Sequence, residues 1–164
     1  MNKSIKESQK IVDQLIKKSF PELRDKNIKV FEIPKWIVWW VGGFVFKRFV
    51  IITKNVTNLD KESLKGLFAH ELCHVEDSIK RTYIQETIQA IRESLSWLFN
   101  TLYSKNIERK TDLRTIKKGY AKELFKYSSE REKRKPKKTL IALYNRGYLS
   151  PKQIKSYAKK IGKW

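Results

Sequence analysis

The chain has two histidines, and they stand four residues apart in His70-Glu71-Leu72-Cys73-His74, with a glutamate directly after the first. In a helix of 3.6 residues per turn this spacing puts both imidazoles on one face, near enough to share one tetrahedral zinc ion. Glu71 would lie beside them, placed to take a proton from a water acidified by the metal. The flanking residues favour such a helix. After a strand-like run from Phe49 to Val56, Asp60 can cap its start, and Leu64, Phe68, Leu72, Val75 and Ile79 recur at intervals of three and four. That stripe faces a core, while His70, about 200° round the helix from Phe68, faces whatever lies opposite.

Two imidazoles do not complete a catalytic zinc site, which takes three protein ligands and keeps a fourth position open. With no third histidine, the missing ligand is a carboxylate or Cys73. Cys73 lies on the same turn as the histidines, points poorly, and reads as a small buried hydrophobe. Downstream, Glu108-Arg109-Lys110-Thr111-Asp112 sets two carboxylates four apart at the start of a second helical pattern through Leu113, Ile116, Tyr120 and Leu124. Glu108 can reach the metal. Asp112, one turn on, can accept a hydrogen bond from the outer nitrogen of a ligand imidazole, which sets its tautomer and raises its basicity. The same spacing also suits an ordinary solvated pair on a basic helix.

His70-Glu71-x-x-His74 followed by Glu108-x-x-x-Asp112 resembles the gluzincin zinc metallopeptidases, in size most like the compact minigluzincins and the catalytic core of HtpX-like peptidases, over residues 28–127. The resemblance implies that His70, His74 and Glu108 bind one Zn2+, that Glu71 acts as general base and then acid, and that Asp112 is the hydrogen-bond partner of His70. It implies a peptide or unfolded-protein substrate that adds as a strand to an antiparallel sheet edge, for which Phe44 to Thr53 is the candidate. It also implies a latent zymogen form in which a C-terminal segment fills the cleft. The chain departs from the pattern at the oxyanion donor, having no spare histidine. Tyr83, Tyr103, Tyr120, Tyr127 and Arg109 remain, and their spacing selects none of them.

The fold class expected is α+β, a small zincin-like domain with a short antiparallel sheet packed on the active-site helix and on a ligand-bearing second helix. The domain would occupy residues 1–130, with an N-terminal helix over 3–19, a sheet over about 28–56 and the active-site helix over 60–80. A chain of 164 residues, 40% hydrophobic, can bury one sizeable core. Its single cysteine permits no intramolecular disulfide, which is consistent with a reducing cytoplasmic location. Met1 to Phe20 is lysine-rich and amphipathic and lacks the apolar core of a signal peptide. Trp36 to Phe46 is an uncharged run of eleven residues, too short for the roughly twenty of a membrane span. With Gly42-Gly43 in its middle it reads as a buried β-hairpin, so no transmembrane span is expected. Ile84, Ile88, Ile91, Leu95, Leu98 and Leu102 mark a long helix from about Thr82 to Tyr103 whose stripe should pack in the core.

Charge is uneven: from Lys105 onward 20 basic residues face 5 acidic ones, leaving net +15 of the chain's +20 there. Residues 131–138 read as a basic linker broken by Pro136, and residues 139–164 as a helical extension. Within that extension Arg146-Gly147 is a stop, and Ser150-Pro151-x-Gln153 is a capping box with proline at the first helical position. Such a basic tail suits autoinhibition, or docking to an acidic partner or nucleic acid. An alternative to the peptidase is therefore a basic nucleic-acid- or protein-binding module on a zincin fold, its zinc site structural or degenerate. Oligomeric state is left open.

Overall fold

The computed structural model describes residues 3–34, 43–89, 91 and 102–164. Helix α1 (Lys3–Ser19) buries Ile5, Ile11, Val12, Leu15 and Ile16 on one side, and a 3-10 turn at Pro21–Leu23 follows it. Strands β1 (Lys29–Ile33), β2 (Gly43–Phe46) and β3 (Phe49–Thr53) form a sheet in the order β1-β3-β2. Among the described residues the protein is mostly helical with this one small sheet, an α+β architecture.

The sheet is mixed, not antiparallel throughout: β3 pairs antiparallel with β2 but parallel with β1. Val50 and Ile52 on β3 are fully buried, and a buried strand needs its N–H and C=O groups satisfied on both sides. Among the described residues, therefore, β2 is the part of the run Phe44 to Thr53 that lies at an edge of the sheet. The hairpin turns at Lys47-Arg48, whereas Gly43 opens a strand and residues 36–42 of the expected hairpin lie outside those described. Lys47 takes a left-handed φ of 53°, costly for a residue with a Cβ. Its contacts with the end of α2 (Lys61–Lys80) offset that cost. The amide of Lys47 donates to Ser78 Oγ at 2.8 Å, and its ammonium donates to the Ser78 carbonyl at 3.1 Å and to that of Arg81. The strand expected to reach Val56 ends at Thr53, where a 3-10 turn at Lys54–Asn58 begins.

Asp60 caps α2 as its position predicts, accepting from the Glu62 and Ser63 amides. Leu64, Phe68, Leu72 and Val75 then meet α1 and the sheet in the main core. Helix α3 (Leu102–Lys117) starts well before Glu108, so the carboxylate pair stands mid-helix rather than at a helix start; no Gly or Pro interrupts Leu102 to Ile107. Helix α4 (Ala121–Arg134) runs through Arg131–Arg134, the first half of the basic stretch whose charge and proline suggest a linker. Glu130 pairs there with Lys133 at 2.8 Å and with Arg134 at 3.4 Å, supporting the last turn. The break comes at Lys135-Pro136, where proline disfavours helix in the residue before it. Helices α5 (Lys137–Asn145) and α6 (Pro151–Lys160) complete the chain. Leu149, Ile154 and Ala158 join Ile116, Ala121 and Leu124 in a second core.

Ile84, Ile88 and Ile91 correct another expectation, being 74%, 46% and 55% exposed rather than packed inside. The remainder of that stripe, Leu95, Leu98 and the Leu102 side chain, lies outside the described residues. No helix among the described residues is long and apolar enough to cross a membrane.

Helices α2 and α4 meet at Gly66. A Cβ there would lie 2.2 Å from the Glu123 carbonyl oxygen and 2.8 Å from the Leu124 nitrogen, both backbone atoms that cannot swing aside. Gly66→Ala gains roughly 1 kcal/mol of helix propensity, but overpacking costs about 1–3 kcal/mol, and contacts this short belong at its upper end. A net loss of stability is expected, read as a lower denaturant midpoint with an unchanged slope.

Candidate metal centre

The i, i+4 relation on α2 brings the His70 and His74 rings together, centroids 4.9 Å apart and inclined by 70°. Their Nε2 atoms are separated by 3.2 Å. From α3, Glu108 Oε2 stands 3.3 Å from His70 Nε2 and 3.5 Å from His74 Nε2. Among the described residues these three are the cluster able to hold a metal ion. Zinc bonds of 2.0–2.1 Å at a tetrahedral ion set their ligand atoms about 3.3 Å apart, and all three separations fall close to that edge. Glu108 Oε2 is buried and makes no hydrogen bond. A buried carboxylate oxygen that makes no hydrogen bond and stands beside two ring nitrogens is placed to share a cation with them, so the donors fit such an ion.

Asp112, one turn beyond Glu108, is buried, and its Oδ1 lies 2.8 Å from His70 Nδ1. With Nδ1–H donating to that carboxylate, Nε2 carries the lone pair that faces the cluster. Burial works against charging His70, yet the carboxylates of Asp112 and Glu108 prevail and hold its pKa well above the usual value. Burial also opposes the charge on Glu108, but His74 and His70 together hold its pKa well below the usual carboxylate range.

Glu71 is 5% exposed, and burial pushes its carboxyl pKa up; the Glu108 and Asp112 charges push the same way while the histidines oppose. Cys73, fully buried, faces Thr115 with Sγ and Oγ1 3.5 Å apart and is not among the clustered donors. Arg114 locks α3 against α2 by a bidentate pair with Asp77, both contacts 2.8 Å, and by donating to the Cys73 carbonyl. The crossing that puts Glu108 opposite the histidines is thereby fastened one and a half turns further along.

Of the residues considered as oxyanion donors, Tyr127 lies near the site. Burial raises its pKa, and the charges of Glu71, His70 and Asp112 act on it. Tyr120 is engaged elsewhere, donating to Ser19 Oγ at 2.7 Å, and Tyr83 and Arg109 are exposed. The placement of the Tyr103 side chain falls outside the described residues. Tyr148, overlooked in the sequence, stacks on His70 with ring centroids 5.7 Å apart and planes 26° apart. Burial, then the charges of Glu108 and Glu71, raise its pKa well above that of an ordinary tyrosine. Nothing in the composition around Tyr148 announces this role, although it lies between the helix stop at Gly147 and the capping box at Ser150. No protein-family model, curated protein or solved structure matches the chain.

Proposed function

We propose that this protein is a zinc-dependent endopeptidase of the gluzincin type, with His70, His74 and Glu108 holding the metal. The observation that carries this reading is the convergence of three donor atoms at tetrahedral-edge distances from two helices, with Glu71 directly beside the first histidine. Zinc held there would supply a Lewis acid that polarises a carbonyl and lowers the pKa of a water. Glu71 would take the proton from the attacking water and pass it to the leaving amine, a task for which a buried carboxyl of raised pKa is suited. Asp112 would keep the His70 tautomer fixed throughout. The substrate would be a peptide or unfolded chain, and β2 is the strand to whose edge an extended backbone would add.

The test is a zinc titration coupled to casein hydrolysis. One zinc per chain is expected in the wild type, with binding lost or severely weakened in Glu108→Ala, and hydrolysis following the metal. Binding should also depend on pH in a defined direction. His70 of the metal-free protein has a raised pKa, so it keeps its proton above the usual value of about 6.5. Zinc must displace that proton. Burial opposes the charge on His74, but Glu108 raises its pKa, so that ring must give up its proton too. Affinity should therefore climb at least about tenfold per pH unit while either ring is protonated and level off once pH exceeds both raised values. Competition with a chromophoric chelator across that range measures it, and an affinity that does not change with pH would exclude a protonated His70.

A further inference from the structure

The corner between the last two helices touches the candidate metal centre, and two local motifs build it. Helix α5 ends in a Schellman turn: the Gly147 amide donates to the Tyr144 carbonyl at 3.0 Å and the Tyr148 amide to that of Leu143 at 3.3 Å. This requires the left-handed φ of 100° at Gly147. Helix α6 then opens with the Ser150–Gln153 capping box. Tyr148 and Leu149 are left between the two motifs as a short strap.

The strap is clamped from both sides. A Cβ on Gly147 would lie 2.0 Å from the Lys105 carbonyl oxygen of α3, so the residue just before the strap sits directly on the helix that carries Glu108 and Asp112. From α4, Ser128 Oγ donates to the Leu149 carbonyl at 3.1 Å, and Arg131 donates to Ser128 Oγ at 3.2 Å while its guanidinium lies 4.8 Å from the centre of the Tyr148 ring. Leu149 itself is 2% exposed. Held in this way, the Leu149 amide donates to Asp112 Oδ2 at 2.7 Å, and the other oxygen of the same carboxylate engages His70 Nδ1. A carboxylate with both oxygens engaged has one rotamer. Without the amide, the bond to His70 Nδ1 would be the one hydrogen bond described for the buried Asp112 carboxylate, and its other oxygen would lose its partner.

We infer that the Leu149 backbone amide is a positioning group of the metal centre, acting through Asp112 on His70, and hence that the C-terminal extension is a working part of the site. The inference rests on the proposed zinc reading, and it assigns the tail a role opposite to that of a removable plug. The hydrogen-bond chain runs from Leu149 N–H through Asp112 to His70, whose ring is also covered on one face by Tyr148.

The test replaces the Leu149 amide by an ester, inserting the α-hydroxy analogue of leucine in the full-length chain, which removes the N–H and keeps the side chain. An ester at Ile154 is the control. It deletes the hydrogen bond from the Ile154 amide to the Ser150 carbonyl, 2.9 Å, in the same segment but with no link to Asp112. Zinc affinity is read by chelator competition and ligand geometry by the visible spectrum of the cobalt-substituted protein. The ester at Leu149 should weaken zinc by about tenfold, the lower end for groups that orient a ligand, and shift the cobalt spectrum. The control should do neither, and in an Asp112→Ala background the Leu149 ester should have no further effect. An unchanged affinity and spectrum, or an equal loss in the control, would overturn the positioning role while leaving the zinc reading standing. A wild-type chain that binds no zinc would overturn both.

Discussion

Glu71→Gln is expected to bind zinc as the wild type does and to lose peptide hydrolysis by at least roughly a hundredfold, the lower bound for removing a general base. Glutamine keeps the size and much of the shape of the buried side chain, so the α2 packing around it should survive. It has no basic oxygen able to accept a proton at neutral pH. Because the ligand set His70, His74 and Glu108 is untouched, metal stoichiometry and affinity report directly on whether the site remains built. The experiment also separates the two functional readings. A structural zinc site on a nucleic-acid- or protein-binding module predicts that Glu71→Gln changes nothing, including the salt-sensitive binding of an acidic partner. Retained zinc with abolished casein cleavage supports the peptidase; retained zinc with no cleavage even in the wild type removes it.

Deleting residues 147–164 is expected to destroy the site. Leu149, Ile154 and Ala158 are buried in the second core against Ile116, Ala121 and Leu124. Removing a large buried aliphatic side chain costs about 2–5 kcal/mol, and two of them compete with a total stability on the order of 5–15 kcal/mol. The truncated chain would also lose the Leu149 hydrogen bond to Asp112 and the Tyr148 ring over His70. Loss of cooperative unfolding by near-ultraviolet circular dichroism, with weakened or absent zinc binding, is the expected result. A latent enzyme held shut by its tail predicts the opposite, a folded truncation that cleaves casein faster than the full-length chain. Whichever way cleavage and folding move together decides between them.

Short-range chemistry was legible in the sequence. Asp60 as a helix cap, the stop at Gly147 and the capping box at Ser150 depend on hydrogen bonds spanning a few residues, so the residue types at those positions suffice to place them. The apolar stripe of α2 was equally plain from a period near 3.6 over five positions, but not that the opposite face, with His70, Glu71 and Ser78, is buried as well. Strand and helix extents were less so. The basic run at Arg131–Arg134 reads as a loop by charge alone, yet pairs along a helix stabilise it, and Ile84, Ile88 and Ile91 carry a helical period but stand exposed. Sheet order was beyond reach too, since parallel pairing of β1 with β3 depends on which strand is buried on both sides.

By itself the sequence determined that two imidazoles share a helix face with a glutamate between them, because a four-residue spacing and a helical period leave no other arrangement. It also brought Glu108 and Asp112 forward as the carboxylates spaced to serve such a pair. Tertiary structure decided the rest. The crossing of α2 and α3 sets Glu108 opposite both histidines and turns Asp112 to His70 Nδ1, and the corner at Gly147–Leu149 brings a backbone amide to the far oxygen of Asp112. Those contacts join residues 34 to 42 positions apart. A backbone N–H is present at every residue but proline, so only the packing of one helix against another can single out the amide of Leu149.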